Sequence, residues 1–447
     1  MIKRVFHTAI TLLLVSHLAS NAQQPLSLPS VDATSYSLWQ KKDWKGLVKF
    51  GNYALSKKID FYYLRVRLGI AYYEQKNYHS AIHHFEKAYK VNAQELYLKE
   101  YLYYAYRFAG RYSDAAILAS TFPNSLRERI GAVDNSFIDQ LTLFYGSYFL
   151  TESTPIENFP NDLSPTADGF QEITRRHSVY SLGLRHDISP KFTLSHAYTN
   201  IQKTSFDFLK NAESVKIKDN QKTSVHQYYI AANHAIAKGF SFGYGAHILN
   251  VRYPVEVTFF RQGQYYTATQ VVSSTDFVGF AYAHKSINYL TLGSCLSVSN
   301  LNSATQVQAD MMLTIYPMGN LNLYFTSMGS FHTEMYPNNG RRNDFVFDQL
   351  LGFKVTKFLW AETYATFGEM KNFIANTGAT VYNGAEVING RFGGRFYVLI
   401  NPNVSFIASY SYISKSSAFI ETESLNSVYN LISYSNHSIT GGIIWNF

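Results

Sequence analysis

From Phe137 to the end of the chain, apolar side chains alternate with small or polar ones in runs of roughly ten to fourteen residues. Phe240, Phe242, Tyr244, Ala246 and Ile248 oppose Ser241, Gly243, Gly245 and His247. Leu321, Leu323 and Phe325 oppose Asn322, Tyr324 and Thr326, and Val404, Phe406, Ala408, Tyr410 and Tyr412 oppose Ser405, Ile407, Ser409 and Ser411. Strands of a soluble sandwich average about five or six residues, so these runs are long for one. No stretch after the N-terminal region approaches the roughly 20 apolar residues that a spanning helix needs. In lipid every backbone polar group must be paired within the protein, so a membrane chain of this pattern must close into a barrel.

Both ends of the chain agree with that expectation. In the last strand Ile439, Gly441, Ile443, Trp445 and Phe447 share one face, as a lipid-facing strand ending in an aromatic girdle requires. The terminal aromatic resembles the signal read by the barrel-assembly machinery of Gram-negative bacteria, and Gly441, Ile443, Trp445 and Phe447 are the residues that would carry it. At the other end, Lys3 and Arg4 precede an apolar stretch from Val5 to Ala19 and a small-x-small site at Ser20-Asn21-Ala22, the pattern of a secretory signal peptide over 1–22. The mature chain is expected to begin at Gln23. With no Cys after that point a lipoprotein is not expected, and Cys295, the single cysteine, has no intramolecular disulfide partner.

Connections alternate between tight and long. Ser189-Pro190-Lys191, Ala237-Lys238-Gly239, Pro317 to Asn320 and Asn401-Pro402-Asn403 read as short periplasmic turns. Thr151 to His177, Thr204 to Lys222, Lys371 to Glu386 and Ser414 to Tyr429 read as long polar loops facing outward. Threading the segments gives an antiparallel up-and-down transmembrane barrel of about 14 strands over 135–447, within a range of roughly 12 to 16, the stretches around Ser303-Ala304 and from Arg252 to Gln270 being the hardest to assign. Strand parity points Arg185, Asp187, Asp310, Asp348, Lys354, Glu362, Arg391 and Arg395 into the lumen. Glu362 and Arg395 stand at equal heights above their turns, the spacing of a cross-strand ion pair. Such a ring of both signs would set the selectivity of a conduit, or would neutralise itself and help close the lumen.

Residues 23–134 are different in kind. They hold 16 Lys+Arg against 10 Asp+Glu, whereas 135–447 hold 21 against 21, so the excess positive charge belongs to this part. Gly69, Tyr72, Tyr78, Ala81, Phe85 and Ala88 lie at the spacing of a tetratricopeptide repeat, and Tyr103, Tyr106, Tyr112, Ala115, Ala119 and Phe122 recur about 34 residues on. Leu38, Trp44, Leu47 and Ala54 recur the same distance back. About three units fit between Val31 and Pro123, and together they resemble a short repeat array, expected in the periplasm. The groove positions of such repeats fall on Tyr63, Arg67, Tyr73, Tyr97, Tyr101, Tyr104 and Arg107. Tyrosines with arginines suit stacking on sugars or gripping an extended acidic peptide. They would equally serve as packing between helices or against the barrel mouth.

Catalytic and metal chemistry find no constellation. His196, His247, His284, His437 and Ser438 have no motif beyond alternation, and His83-His84 lacks further ligands at metal spacing. Neither an enzyme nor a cofactor is expected, and nucleic acid is a poor partner for an exported chain.

The order of signal peptide, short repeat array and C-terminal barrel resembles the YaiO-type outer-membrane proteins, and is similar to the layout of exopolysaccharide export proteins, which have far longer arrays. The resemblance implies an outer-membrane protein of a Gram-negative bacterium that moves or organises a surface polymer. The expectation is therefore an α + β multidomain chain in contact with outer-membrane lipids and assembly machinery, with a repeat module that recruits a polysaccharide or periplasmic protein and a lumen that serves export. A plugged barrel anchoring the repeats is the alternative, and a lipid-modifying barrel enzyme the second.

Overall fold

The computed structural model describes residues 26–132, 137–150, 168–211, 214–337, 340–421 and 429–447; the expected signal peptide lies outside them. The chain falls into two compact units, one through Ala105 and one from Tyr106 to Phe447.

The first unit is helical: α1 (Leu28–Gln40), α2 (Trp44–Ser56), α3 (Tyr62–Glu74), α4 (Tyr78–Val91) and most of α5 (Leu96–Phe108). Helices α1, α3 and α5 start at Leu28, Tyr62 and Leu96, and α2, α4 and α6 (Tyr112–Ala119) at Trp44, Tyr78 and Tyr112, so both series step by 34 residues. The turns repeat as well, with Lys42, Lys76 and Gly110 all at positive φ (55, 60 and 76°). Just after the first two, Asp43 and Asn77 cap their helices by accepting from the backbone N–H groups of Gly46 (2.9 Å) and Ser80 (3.2 Å). Gly69 on α3 lies under the ring of Phe85 on α4, where any Cβ would collide with it, and this lets the two helices approach closely. Val31, Leu47, Leu64, Leu68 and Phe85 are fully buried between the helices.

The second unit takes in the end of α5, then α6 and α7 (Asn124–Arg129), and continues into a closed antiparallel barrel. Its first eight strands are β1 (Gln140–Leu150), β2 (Gly169–Ser189), β3 (Phe192–Asn211), β4 (Ser214–Ala237), β5 (Phe240–Arg261), β6 (Gln264–Ile287), β7 (Leu290–Ser299) and β8 (Thr305–Ile315). Then come β9 (Leu323–Met335), β10 (Arg341–Lys354), β11 (Leu359–Met370), β14 (Val387–Leu399), β15 (Val404–Glu421) and β16 (Tyr429–Asn446). Between β11 and β14, the short strands β12 (Phe373–Ala375) and β13 (Thr380–Tyr382) pair only with each other. Fourteen strands thus form the wall among the described residues. The final strand closes it against β1, Leu143 opposing Ile443 and Leu141 opposing Trp445. Asp114 of α6 accepts from the Gly239 N–H in the β4–β5 turn (2.9 Å) and pairs with Arg111 (2.8 Å), tying that helix to the barrel's short-turn end.

The outward face carries exposed Leu143, Tyr145, Leu182, Tyr198, Ile230, Phe242, Leu292, Phe396 and Ile443, a dry belt that only lipid would cover. Among the described residues no helix is long and apolar enough to cross a membrane.

Where they are described, three of the expected loops are strand. Gly169–His177 belongs to β2, Thr204–Lys222 is the laddered end of β3 and β4 on either side of 212–213, and Ser414–Glu421 is the end of β15. Residues 151–167 and 422–428 lie outside the described residues. Arg252 to Gln270 is one continuous hairpin turning at Gln262 and Gly263, and Ser303-Ala304 follows a single helical turn at Leu301–Ser303. Strands β2 to β6 run 20 to 24 residues, about twice what a spanning strand needs. Beyond lipid both faces of a strand meet water, so apolar alternation stops while the backbone ladder continues. The fourth expected loop, Lys371 to Glu386, folds into the barrel.

Candidate functional site: the lumen and its inserted hairpin

The lumen wall is built from alternating residues of every strand, and five of its aromatic rings lie against neighbours that have no side chain. Gly243 faces Tyr282, Gly245 faces Phe280, Gly352 faces Tyr324, Gly393 faces Tyr364 and Gly442 faces Phe144, each as direct cross-strand partners. In each pair a Cβ on the glycine would meet the partner's side chain, so the ring leans along the wall instead of projecting across the lumen.

Every charge expected inside has the inward parity of its strand. Glu362 Oε2 stands 3.3 Å from Arg395 Nη1, while Tyr324 (2.5 Å) and Tyr397 (3.2 Å) donate to the same carboxylate. Asp348 accepts from Thr366 (2.5 Å) and lies 3.8 Å from Arg391, which in turn donates to the Tyr382 hydroxyl (2.7 Å). Arg185 pairs with Asp139 and lies 3.6 Å from Asp187. Asp310 accepts from Gln308 (2.8 Å), and the Lys354 ammonium sits 4.3 Å over the Trp360 ring. The lumen charges are thus largely matched locally, yet Arg185 and Arg395 remain more than a third exposed.

Above them sits the β12–β13 hairpin. Both supporting strands lose register where it leaves them, between Phe367 and Met370 and between Ile388 and Gly390. Ile374 and Val381 are buried with Leu249, Val278, Phe280, Cys295 and Leu301 of the wall, while Phe373 packs with Met370 and Val346. Wall side chains take the place of missing strand neighbours. The Gln308 amide accepts from the Ile374 N–H (3.0 Å) and donates to its carbonyl (2.5 Å), and His247 Nδ1 lies 2.8 Å from the Gly378 carbonyl. Asn302 donates to Asn372 (2.6 Å) and to the Asn383 carbonyl (2.9 Å). Gly378, at φ +80°, rests directly on the Phe280 ring with no room for a Cβ.

The returning arm ends at Glu386, a buried carboxylate with four donors from three strands. Thr174 of β2 donates its N–H (2.5 Å) and hydroxyl (2.7 Å), Lys415 of β15 donates at 2.9 Å, and Tyr434 of β16 donates its hydroxyl. Lys203 and Glu172 form a further, partly buried ion pair on β3 and β2. Removing one partner of a buried pair such as Glu386 and Lys415 costs about 3–5 kcal/mol. The end of β15 also crosses to β2, pairing Ile420 with Phe170 and Glu421 with Gly169, and it buries Phe419 against Ile173 and Phe208.

Parity alone did not point to Glu386, Thr174, Lys203, Lys415, Gln308 or His247 as a set. A signal was present in Phe373-Ile374 and Val381-Tyr382 flanking Asn376-Thr377-Gly378, two short apolar runs around turn residues.

In the helical unit Arg67 is a staple between α1 and α3. Its Nη1 donates to the Asp32 carboxylate (2.7 Å) and the Ser35 hydroxyl (2.8 Å), and the guanidinium lies over Tyr36 (5.2 Å) and Tyr63 (5.7 Å). Tyr101 makes edge contacts with Tyr73 (5.0 Å) and Tyr97 (4.9 Å), and Tyr104 abuts Tyr103 (5.3 Å). Tyr63 and Tyr97 stay exposed, whereas burial pushes the Tyr73 hydroxyl up to about 12. Arg107 belongs to the second unit, where it lies over Tyr112 (5.6 Å).

The residues considered for catalysis are dispersed. His247 holds the hairpin, His284 covers Gly293 within the lumen, and His196 faces outward beside His186 and Tyr228. His437 also faces outward and bonds Tyr410 (2.7 Å), while Ser438 points inward. Among the described residues no group of three or more His, Cys, Asp and Glu is placed to hold a metal. At the C terminus Trp445 and Phe447 stack (5.3 Å) on the outward side, with Gly441 and Ile443 on the same face.

No family model matches the sequence, and no curated protein matches it. Among solved structures, a Pseudomonas aeruginosa FadL homologue aligns at 11% identity over 69% of this chain and 90% of its own, with a TM-score of 0.43. The Pseudomonas putida toluene transporter TodX aligns at 8% identity over 75% and 94%, with a TM-score of 0.42. The translocator domain of the autotransporter NalP from Neisseria meningitidis aligns at 10% identity over 77% and 100%, with a TM-score of 0.30.

Proposed function

We propose that this chain is an outer-membrane protein whose helices are tetratricopeptide-like repeats in the periplasm and whose barrel is a gated conduit, with a surface polysaccharide as the class of cargo. One observation carries the conduit reading: a separate segment, 371–386, is packed against the inner face of the wall through Ile374 and Val381, while the wall's Arg185 and Arg395 stay more than a third exposed. A wall of 14 strands is too wide for its side chains to fill, so obstruction by an added segment leaves a path whenever that segment is displaced. The 34-residue step of both helix series and the Gly69–Phe85 approach support the repeat reading, and with it kinship to YaiO-type proteins. In the repeats, Asp32 neutralises Arg67, so recruitment of a polymer or protein partner rests on the exposed rings of Tyr63 and Tyr97 more than on positive charge.

The dry packing of Ile374 and Val381 favours a second reading, a permanently closed barrel that anchors the repeats. Single-channel recording of the full chain in planar bilayers separates the two. Discrete openings under applied voltage are expected for the conduit, and a silent bilayer at every voltage would leave the anchor.

A further inference from the structure

We infer that residues 371–386 form a movable gate, latched at Glu386 and seated over Cys295. The inference specifies how the proposed conduit would be regulated, and so rests on that reading. Three features of the segment point to movement rather than to a fixed filling. It joins the wall through irregular register at both ends, so it can swing without breaking the ladders of β11 and β14. Its two strands pair only with each other, and an isolated two-stranded hairpin has little stability of its own, so the wall contacts decide where it sits. Those contacts end at a single anchor. The tip rests on Phe280 through Gly378 and on His247, the middle is held by Gln308 and the neck by Asn302, and the returning arm ends in one buried carboxylate.

Glu386 is the point at which a small change releases the most. Its four donors come from β2, β15 and β16, so loss of its charge loosens the arm from three strands at once and leaves Lys415 without its counter-ion. A buried ionic contact fixes one arrangement and gives way when one partner changes. Cys295 supplies the readout. It is the single cysteine of the chain and is buried in the cluster that contains Ile374 and Val381.

The test is the rate at which a water-soluble maleimide labels Cys295 in the full chain reconstituted in vesicles. Glu386→Gln, and independently Gly378→Val, which drives the tip off Phe280, are expected to label roughly tenfold faster or more than the parent chain. Heat-modifiable migration of each variant reports that the barrel has folded. Equal labelling rates in the parent and in either folded variant would overturn the gate and leave a fixed plug. Conductance recorded on the same variants tests the conduit separately. Faster labelling with steady openings supports both readings, and faster labelling with silent bilayers retains the movable segment while removing the conduit.

Discussion

At the scale of single residues, the helical unit is held by a few buried polar contacts with definite pH behaviour. Arg65 donates to both Asp60 oxygens (2.7 and 2.6 Å), and its Nη1 lies 3.1 Å from His84 Nδ1. Because arginine only donates, that nitrogen must accept, so the imidazole is neutral. Burial, and after it the neighbouring guanidinium, pushes the His84 pKa down to about 3 from an ordinary 6.5. The unfolded chain therefore takes up the proton first, and the stability held by neutral His84 is lost progressively as pH falls from about 6.5 toward 3. The hydrogen bond from Arg65 holds Asp60 below the usual carboxylate range, and its contribution vanishes at still lower pH, in the same direction. The melting midpoint of the helical far-ultraviolet signal is expected to drop by several degrees between about pH 7.5 and pH 4.5. His84→Gln, which still accepts from Arg65 but does not titrate, should flatten that dependence; an unchanged slope would remove His84 as its source. Arg67 makes a second prediction. Arg67→Lys gives up the fork to Asp32 and Ser35, and with Asp32 near the surface should lower the stability of the helical unit by about 1 kcal/mol, read as a shift in the denaturation midpoint.

At the scale of elements, legibility followed the lipid. Strand segments within the membrane belt were readable because one face had to be apolar, and so Glu362 and Arg395 could be paired by counting up from their turns, as they are found. The ends of β3 and β4 away from the short turns read as loop because Lys210, Lys218 and Lys222 interrupt any apolar period, although the backbone ladder runs on past them. The hairpin was hidden for another reason. Glu386 obtains its role from Thr174, Lys415 and Tyr434, which lie 212, 29 and 48 residues away, and no local pattern encodes that meeting. The extended wall makes its own prediction. Folded protein in detergent should resist trypsin at Lys210, Lys218 and Lys222, because a protease must draw a segment out of its ladder to cut it. Rapid cleavage at these sites under conditions that leave the barrel intact would show that they are loops after all.

For the whole molecule, the two units draw stability from different sources, and this sets how the chain should come apart. The barrel closes on itself, with β1 hydrogen-bonded to β16, so it has no edge from which to fray and its outward face is stable only in lipid or detergent. The helical unit relies on a small core around Leu47, Leu64, Leu68 and Phe85, sensitive to single buried groups such as His84. Two units held by separate forces do not melt as one. The full chain in mild detergent is expected to lose its helical signal in a first, reversible transition, while the strand signal and the compact form on unboiled gels persist to a much higher temperature. Acidification from about pH 7.5 to pH 4.5 should lower the first transition through His84. One coincident transition, shifted as a whole by pH, would mean that the helical unit and the barrel fold as a single cooperative block. Two separate transitions would instead make the helical unit an independently folding module.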